Sequence, residues 1–100
     1  MEEIVLEIII HSGNAKSKLY DALAFAKSND FIKAEELIKE ANREILNAHK
    51  IQTKLIQEEA GGNKTEVSML LIHSQDHLMT CMSERNLIKE IIELRKEMKK

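Results

Sequence analysis

A chain of 100 residues that is 43% hydrophobic and 32% charged, with three glycines and no proline or tryptophan, suits one domain and is poor in the residues that punctuate sheets and loops; the expected class is all-α. A formal net charge of −2, with aromatics only 3% of the chain and no Lys/Arg cluster interleaved among them, argues against nucleic acid as a partner. The single Cys81 excludes an internal disulfide, no stretch approaches the roughly 18 uninterrupted apolar residues of a membrane span, and the acidic Met-Glu-Glu start is not a basic signal region, so the expectation is a soluble cytoplasmic protein without direct membrane insertion.

The first predicted helix runs from about Glu2 to Ala26. Its apolar residues Ile4, Ile8, Ala15, Leu19, Ala22 and Phe25/Ala26 recur at helical spacings. Gly13, within Ser12-Gly13-Asn14, costs about 1 kcal/mol relative to Ala in a helix interior, so it marks a kink, a break or a close backbone contact. Ser28-Asn29-Asp30 reads as a turn whose Asn29 or Asp30 caps the next helix.

The second helix is expected from about Phe31 to Glu59, on the period Phe31, Ala34, Leu37/Ile38, Ala41, Ile45, Ala48, Gln52 and Leu55. It stops at Ala60-Gly61-Gly62-Asn63. Asn63 or Thr65 then caps a third helix that runs to the Lys-rich end, where Lys96, Lys99 and Lys100 suit the negative pole of the macrodipole. Three long helices with short loops pack as an up-down-up antiparallel bundle, a single domain over residues 1–100. The core is aliphatic, with Met as filler, and a domain this small gains from oligomerisation.

The third helix carries two apolar stripes. Val67, Leu70, Leu71, Leu78, Cys81, Met82, Ile88 and Ile92 fall on one third of the circumference and are expected to face the other two helices. Met69, Ile72, Asp76, Met79, Thr80, Leu87 and Leu94 lie roughly opposite; positions 69, 76, 83 and 80, 87, 94 follow heptad spacing, as at a seam between subunits. Two readings of Asp76 stand side by side. Either it is solvated at the edge of a monomer, or copies from several chains converge and hold a proton or a hard divalent cation such as Mg²⁺, since a lone carboxylate in an apolar seam costs several kcal/mol.

Beside that seam, His73-Ser74-Gln75-Asp76-His77-Leu78-Met79-Thr80 gathers two imidazoles and a carboxylate on one turn. Asp76 lies about 60° to one side of His73 and His77 about 40° to the other. His73 flanks the second stripe, at the mouth of an intersubunit groove, where an imidazole serves as a base, a metal ligand or a phosphoryl-carrying nucleophile. His77 turns back towards the core edge. His11 and His49 read as polar boundary residues, and Cys81 as a small hydrophobe on the core stripe.

The His73-to-Thr80 run resembles the active-site motif of the IIA component of the lactose and cellobiose (N,N'-diacetylchitobiose) class of the bacterial phosphoenolpyruvate-dependent sugar phosphotransferase system. Ser12-Gly13-Asn14-Ala15-Lys16-Ser17, Asp30-Phe31 with Ala34, and Ala48-His49 with Gln52-Thr53 are similar to further family segments, so the resemblance covers nearly the whole chain. It implies a homotrimeric three-helix bundle. It also implies that His73 accepts a phosphoryl group from the histidine phosphocarrier protein and passes it to a cysteine of the cognate IIB component during uptake of a lactose/cellobiose-type sugar. By the same resemblance the protein is a phosphotransferase component with a phosphohistidine intermediate, without turnover in the absence of its partners. Asp76 matches the metal-ligand aspartate, three copies sharing one divalent cation, Mg²⁺, per trimer. Gln75 and His77 match motif positions as possible supporting residues.

The sequence departs from the family in beginning almost at helix one and in the continuation Cys81 with Ser83-Glu84-Arg85-Asn86; neither touches His73 or Asp76. Two rival classes remain. One is a metal-binding helical bundle, since His73-x-x-Asp76-His77 offers ligands at i, i+3 and i+4, as does the His-x-x-Glu-His of inverted zinc proteases, though a third ligand and a base are then required. The other is a non-catalytic coiled-coil adaptor.

Overall fold

The computed structural model describes residues 2–64 and 66–99 of the chain. Three helices account for nearly all of them: α1 (Glu2–Lys27), α2 (Phe31–Ala60) and α3 (Met69–Lys99). Cross-helix pairs give the topology. His11 with Glu44 and Lys18 with Glu40 run in opposite directions along α1 and α2, and Gln52 with Gln75 and Glu35 with Lys96 do the same along α2 and α3. Ser12 with Cys81, Lys16 with Glu84 and Lys27 with Arg95 advance together, so α1 and α3 are parallel. The result is the expected up-down-up bundle, 54 Å long and 20 and 19 Å across. Among the described residues no helix is long and apolar enough to cross a membrane.

Both connections begin with the same device. After α1, Asn29 takes φ +65°, its N–H donates to Ala26 O at 3.0 Å and the Asp30 N–H to Phe25 O at 2.9 Å, which satisfies carbonyls that a helix end leaves unpaired. Asp30 then caps α2, its side chain accepting from the Lys33 N–H at 3.1 Å. After α2, Gly62 at φ +98° repeats the closure: its N–H donates to Glu59 O at 3.0 Å and the Asn63 N–H to Glu58 O at 2.9 Å. Glycine carries no Cβ penalty there.

The start of α3 differs from the sequence expectation. Asn63 does not cap it, and the other candidate, Thr65, lies outside the described residues, as does Lys100 at the other end. The cap is Ser68, whose Oγ accepts from the Leu71 N–H at 3.1 Å while its carbonyl accepts from the Ile72 N–H at 3.0 Å. Val67, assigned above to the core stripe, therefore precedes the helix and is 73% exposed. A 3.6-residue period places a side chain only while the helix exists, and here the helix starts two residues later.

The core is the aliphatic layer expected. Ile8, Ala15, Leu19, Ala22 and Ala26 of α1, Ala34, Leu37, Ile38, Ala41, Ile45, Ala48 and Leu55 of α2, and Leu78, Cys81, Ile88 and Ile92 of α3 form one buried cluster, with Leu71 and Met82 packed partly against it. Ile4 and Phe25 are partly solvent-facing; Val5 and Ser12 are buried instead. Gly13 neither kinks nor breaks α1, which is continuous through it. Nor does a close contact require it: a Cβ built there would meet His77 Nε2 at 3.8 Å, an ordinary van der Waals distance.

Candidate functional site

The small residues Ser12, Gly13 and Ala15 let α1 approach α3 closely, and along that seam the Cys81 thiol donates to the Ser12 carbonyl at 3.5 Å. Burial pushes the Cys81 thiol above its ordinary range, with the nearby Glu84 carboxylate adding to the effect. Its thiolate is disfavoured, so Cys81 is core filling, as its stripe predicts, and a poor nucleophile. Ser12 Oγ is buried and has no protein partner among the described residues.

One turn towards the N-terminus of α3 the seam opens onto the two imidazoles. His73 is solvent-exposed and His77 half-buried, the division expected from their helical angles. Their rings stack, with centroids 5.8 Å apart and planes 27° from parallel. Nε2 of His77 faces Gly13 of α1, 3.8 Å from where a Cβ would stand. An exposed imidazole stacked on a second, half-buried one suits nucleophilic attack on an electrophile brought by a docking partner.

Gln75 points the other way. Its Oε1 accepts a hydrogen bond from Gln52 Nε2 of α2, and both border the α2–α3 side of the bundle, where Leu55, Ile56, Glu59, Leu71 and Gln75 line a groove of about 190 Å³. Gln52 is only 7% exposed, a polar residue on an apolar period; that position carried the signal, since a buried amide requires a hydrogen-bond partner. Its partner across the bundle was beyond what a one-helix pattern gives.

Asp76 is exposed on the outward face of α3, in line with Ile72, Met79, Leu87 and Leu94, each of which is more than half exposed. Among the described residues no group of three or more His, Cys, Asp or Glu side chains converges within one chain. The intrachain His73-x-x-Asp76-His77 metal site therefore lacks the further ligands it requires. A single carboxylate fits a hard cation only as one share of a larger set of oxygen ligands. Thr80 Oγ1 bonds back to the Asp76 and His77 carbonyls, so its hydroxyl is occupied within α3.

The remaining histidines are apart from this turn. His11 Nδ1 lies 2.5 Å from Glu44 Oε2 and ties α1 to α2, and His49 is exposed on α2.

Comparison with known proteins identifies the family of the chain. The family model "PTS system, Lactose/Cellobiose specific IIA subunit" matches residues 3–96. The lichenan-specific phosphotransferase enzyme IIA component of Bacillus subtilis is 48% identical over 94 residues, which are 94% of this chain and 86% of that protein. The crystal structure of the PTS cellobiose-specific enzyme IIA from Bacillus anthracis superposes with a TM-score of 0.94 at 45% identity, covering 97% of this chain and 89% of that one. The IIA(Chitobiose)–HPr complex of the N,N'-diacetylchitobiose branch of the Escherichia coli phosphotransferase system gives a TM-score of 0.86 at 45% identity, covering 99% and 96%. The chain belongs to the lactose/cellobiose-specific IIA family of the sugar phosphotransferase system and is a phosphotransferase component of that system.

Proposed function

We propose that His73 is the phosphoryl carrier of this IIA component, accepting the group from the histidine phosphocarrier protein and passing it to a cysteine of the cognate IIB component in the cytoplasm. The observation that carries this reading is the exposed His73 ring stacked on His77, in a chain whose structural relatives include a IIA–HPr complex. A ring nitrogen of His73 attacks phosphorus on the donor's phosphohistidine. A new N–P bond forms as the donor's breaks, and that electron pair returns to the donor's ring nitrogen. In the second step the IIB thiolate attacks, an S–P bond forms, and the electron pair of the His73 N–P bond returns to the imidazole. Neither step demands a proton relay, so the protein's contribution is positioning in line and exclusion of water.

The outward stripe of α3 is assigned to a homotrimer. Met69, Ile72, Met79, Leu87 and Leu94 are more apolar surface than a monomer helix leaves in water, and their heptad spacing suits three parallel copies about an axis. Asp76 from each chain would then supply oxygen ligands to one divalent cation, Mg²⁺ by donor type, which would neutralise three carboxylates that otherwise repel. Gln75 and His77 are assigned supporting roles. The sugar is of the lactose, cellobiose or chitobiose kind handled by the relatives, and the IIA component itself acts only on the phosphoryl group.

The test is to incubate the protein with phosphoenolpyruvate, enzyme I and the histidine phosphocarrier protein and map acid-labile phosphate by mass spectrometry. Label on His73, abolished in His73→Ala, is expected. Absence of label, or label that survives His73→Ala, refutes the assignment and favours the adaptor reading.

A further inference from the structure

His73 and Gln75 lie on opposite flanks of the outward stripe of α3. At 100° per residue, His73 stands about 60° to one side of Asp76 and Gln75 about 100° to the other, so within one chain the two side chains diverge. The bundle gives each flank its neighbour. On the flank of His73, the stacked His77 faces Gly13 of α1; on the other, Gln75 is bonded to Gln52 of α2. In a cyclic trimer with the outward stripe of α3 on the axis, every copy presents these two flanks in the same order around the ring. The α1 flank of one protomer then meets the α2 flank of the next. The copies are parallel, so His73 of one protomer and Gln75 of the partner subunit stand two residues apart in height, about 3 Å along the axis.

The amide of Gln75 is arranged to donate. Its Oε1 accepts from Nε2 of Gln52, which is only 7% exposed, so the orientation of the amide is set from the interior of the bundle. Among the described residues its own Nε2 hydrogens donate to no protein group, and the side chain borders the groove of about 190 Å³ shared with Leu55, Ile56, Glu59 and Leu71.

We propose that the phosphoryl site is shared between protomers: His73 of one chain carries the group, and Gln75 of the partner subunit donates an N–H hydrogen bond to a phosphoryl oxygen. This rests on the assignments of His73 as the carrier and of the outward stripe to a trimer. Gln75 acts here as a positioning residue, and Gln52 fixes the direction of its donors. Phosphorus is bonded only to His73 while it is carried, and no proton moves. A bond from a neutral amide to an anionic oxygen is charge-assisted, and it holds the phosphorus in one orientation for in-line attack.

The test asks in which chain Gln75 acts. Gln75→Leu removes the donors, and homotrimers of this variant are expected to take phosphate from the phosphorylated histidine carrier protein about tenfold more slowly than wild type in a single turnover, the equivalent of one charge-assisted hydrogen bond. Gln75→Leu chains are then co-expressed with an excess of His73→Ala chains under a second tag, and trimers containing both are isolated. Only the Gln75→Leu chains in them can be phosphorylated, and a His73→Ala neighbour supplies an intact Gln75. A phase at the wild-type rate is expected in these mixed trimers. Uniformly slow transfer in them places Gln75 in its own chain and overturns the inference, as does a wild-type rate in Gln75→Leu homotrimers. Light scattering and thermal melting check assembly and folding; Gln75→Glu, which keeps an acceptor for Gln52 but has no donor, repeats the experiment if Gln75→Leu does not assemble. If wild-type His73 takes no phosphate, or the wild type is a monomer, the underlying assignments fall and this inference with them. If wild-type trimers are phosphorylated normally and the mixed trimers stay slow, those assignments stand and the shared site alone is lost.

Discussion

The phenol of Tyr20 in α1 donates to the carboxylate of Glu84 in α3, two turns along the seam from His77, and Lys16 closes on the same carboxylate at 3.8 Å. Glu84 thus joins α3, which carries the two histidines, to α1. The hydrogen bond to Glu84, reinforced by its charge, raises the Tyr20 phenol above its ordinary value of 10.0, because ionising it would place two anions side by side.

A pH dependence follows from the sign of that shift. The folded state holds the Tyr20 proton more tightly than the unfolded state, so the contribution to stability is complete below 10.0 and is lost as pH rises through the raised folded value. Tyr20 is the only tyrosine in a chain without tryptophan, so its ionisation is read directly by ultraviolet absorbance. The native protein should titrate above the denatured one, and Glu84→Gln should bring the native curve back towards the denatured value. A native curve at or below the denatured one contradicts the contact.

Leu78 is the fully buried residue of α3 that directly follows His77, and it packs in the central cluster. Leu78→Ala should destabilise the protein by about 2–5 kcal/mol, the range for a large-to-small change in a packed core. Denaturant unfolding followed by circular dichroism measures this. A cost under about 1 kcal/mol would mean that the site collapses around the smaller residue, and that α1 and α3 are less tightly joined than Ser12, Gly13 and Cys81 suggest.

Much of this arrangement was legible in the sequence because it depends on angles along one helix. The separation of exposed His73 from half-buried His77, the burial of Leu78, Cys81, Ile88 and Ile92, and the outward face of Asp76 all follow from 100° per residue. What was not legible depends on another helix or on where a helix begins. The Gln52–Gln75 bond and the Tyr20–Glu84–Lys16 junction join residues 23 and 64 positions apart in their direct hydrogen bonds, and no single-helix period reports them. Gly13 is a different case: its cost in a helix predicted a kink, a break or a close contact, whereas α1 runs straight through it and a Cβ there would meet His77 Nε2 only at an ordinary 3.8 Å.

The start of α3 supplies its own test. Ser68→Ala removes the side-chain acceptor for the Leu71 N–H and should cost about 1 kcal/mol, whereas Val67→Ser, at an exposed position before the helix, should change stability by less than about 0.5 kcal/mol. The reverse order in paired denaturation curves would restore Val67 to the core and move the helix start upstream.

The outward stripe makes the sharpest demand on the proposed assembly, because Leu87 and Asp76 share one face of α3 and neither supports the fold of a single chain. Leu87→Glu should leave the helical content intact while its charges, brought together at the seam, separate the trimer into monomers on light scattering. Asp76→Leu should do the opposite: it removes the proposed cation ligand and extends the apolar seam, so the trimer persists while stoichiometric Mg²⁺ binding by calorimetry disappears. Wild-type protein that runs as a monomer removes the seam altogether. A trimer whose Mg²⁺ binding survives Asp76→Leu keeps the seam and removes the cation from it, which separates the two roles that one short segment of α3 is proposed to encode.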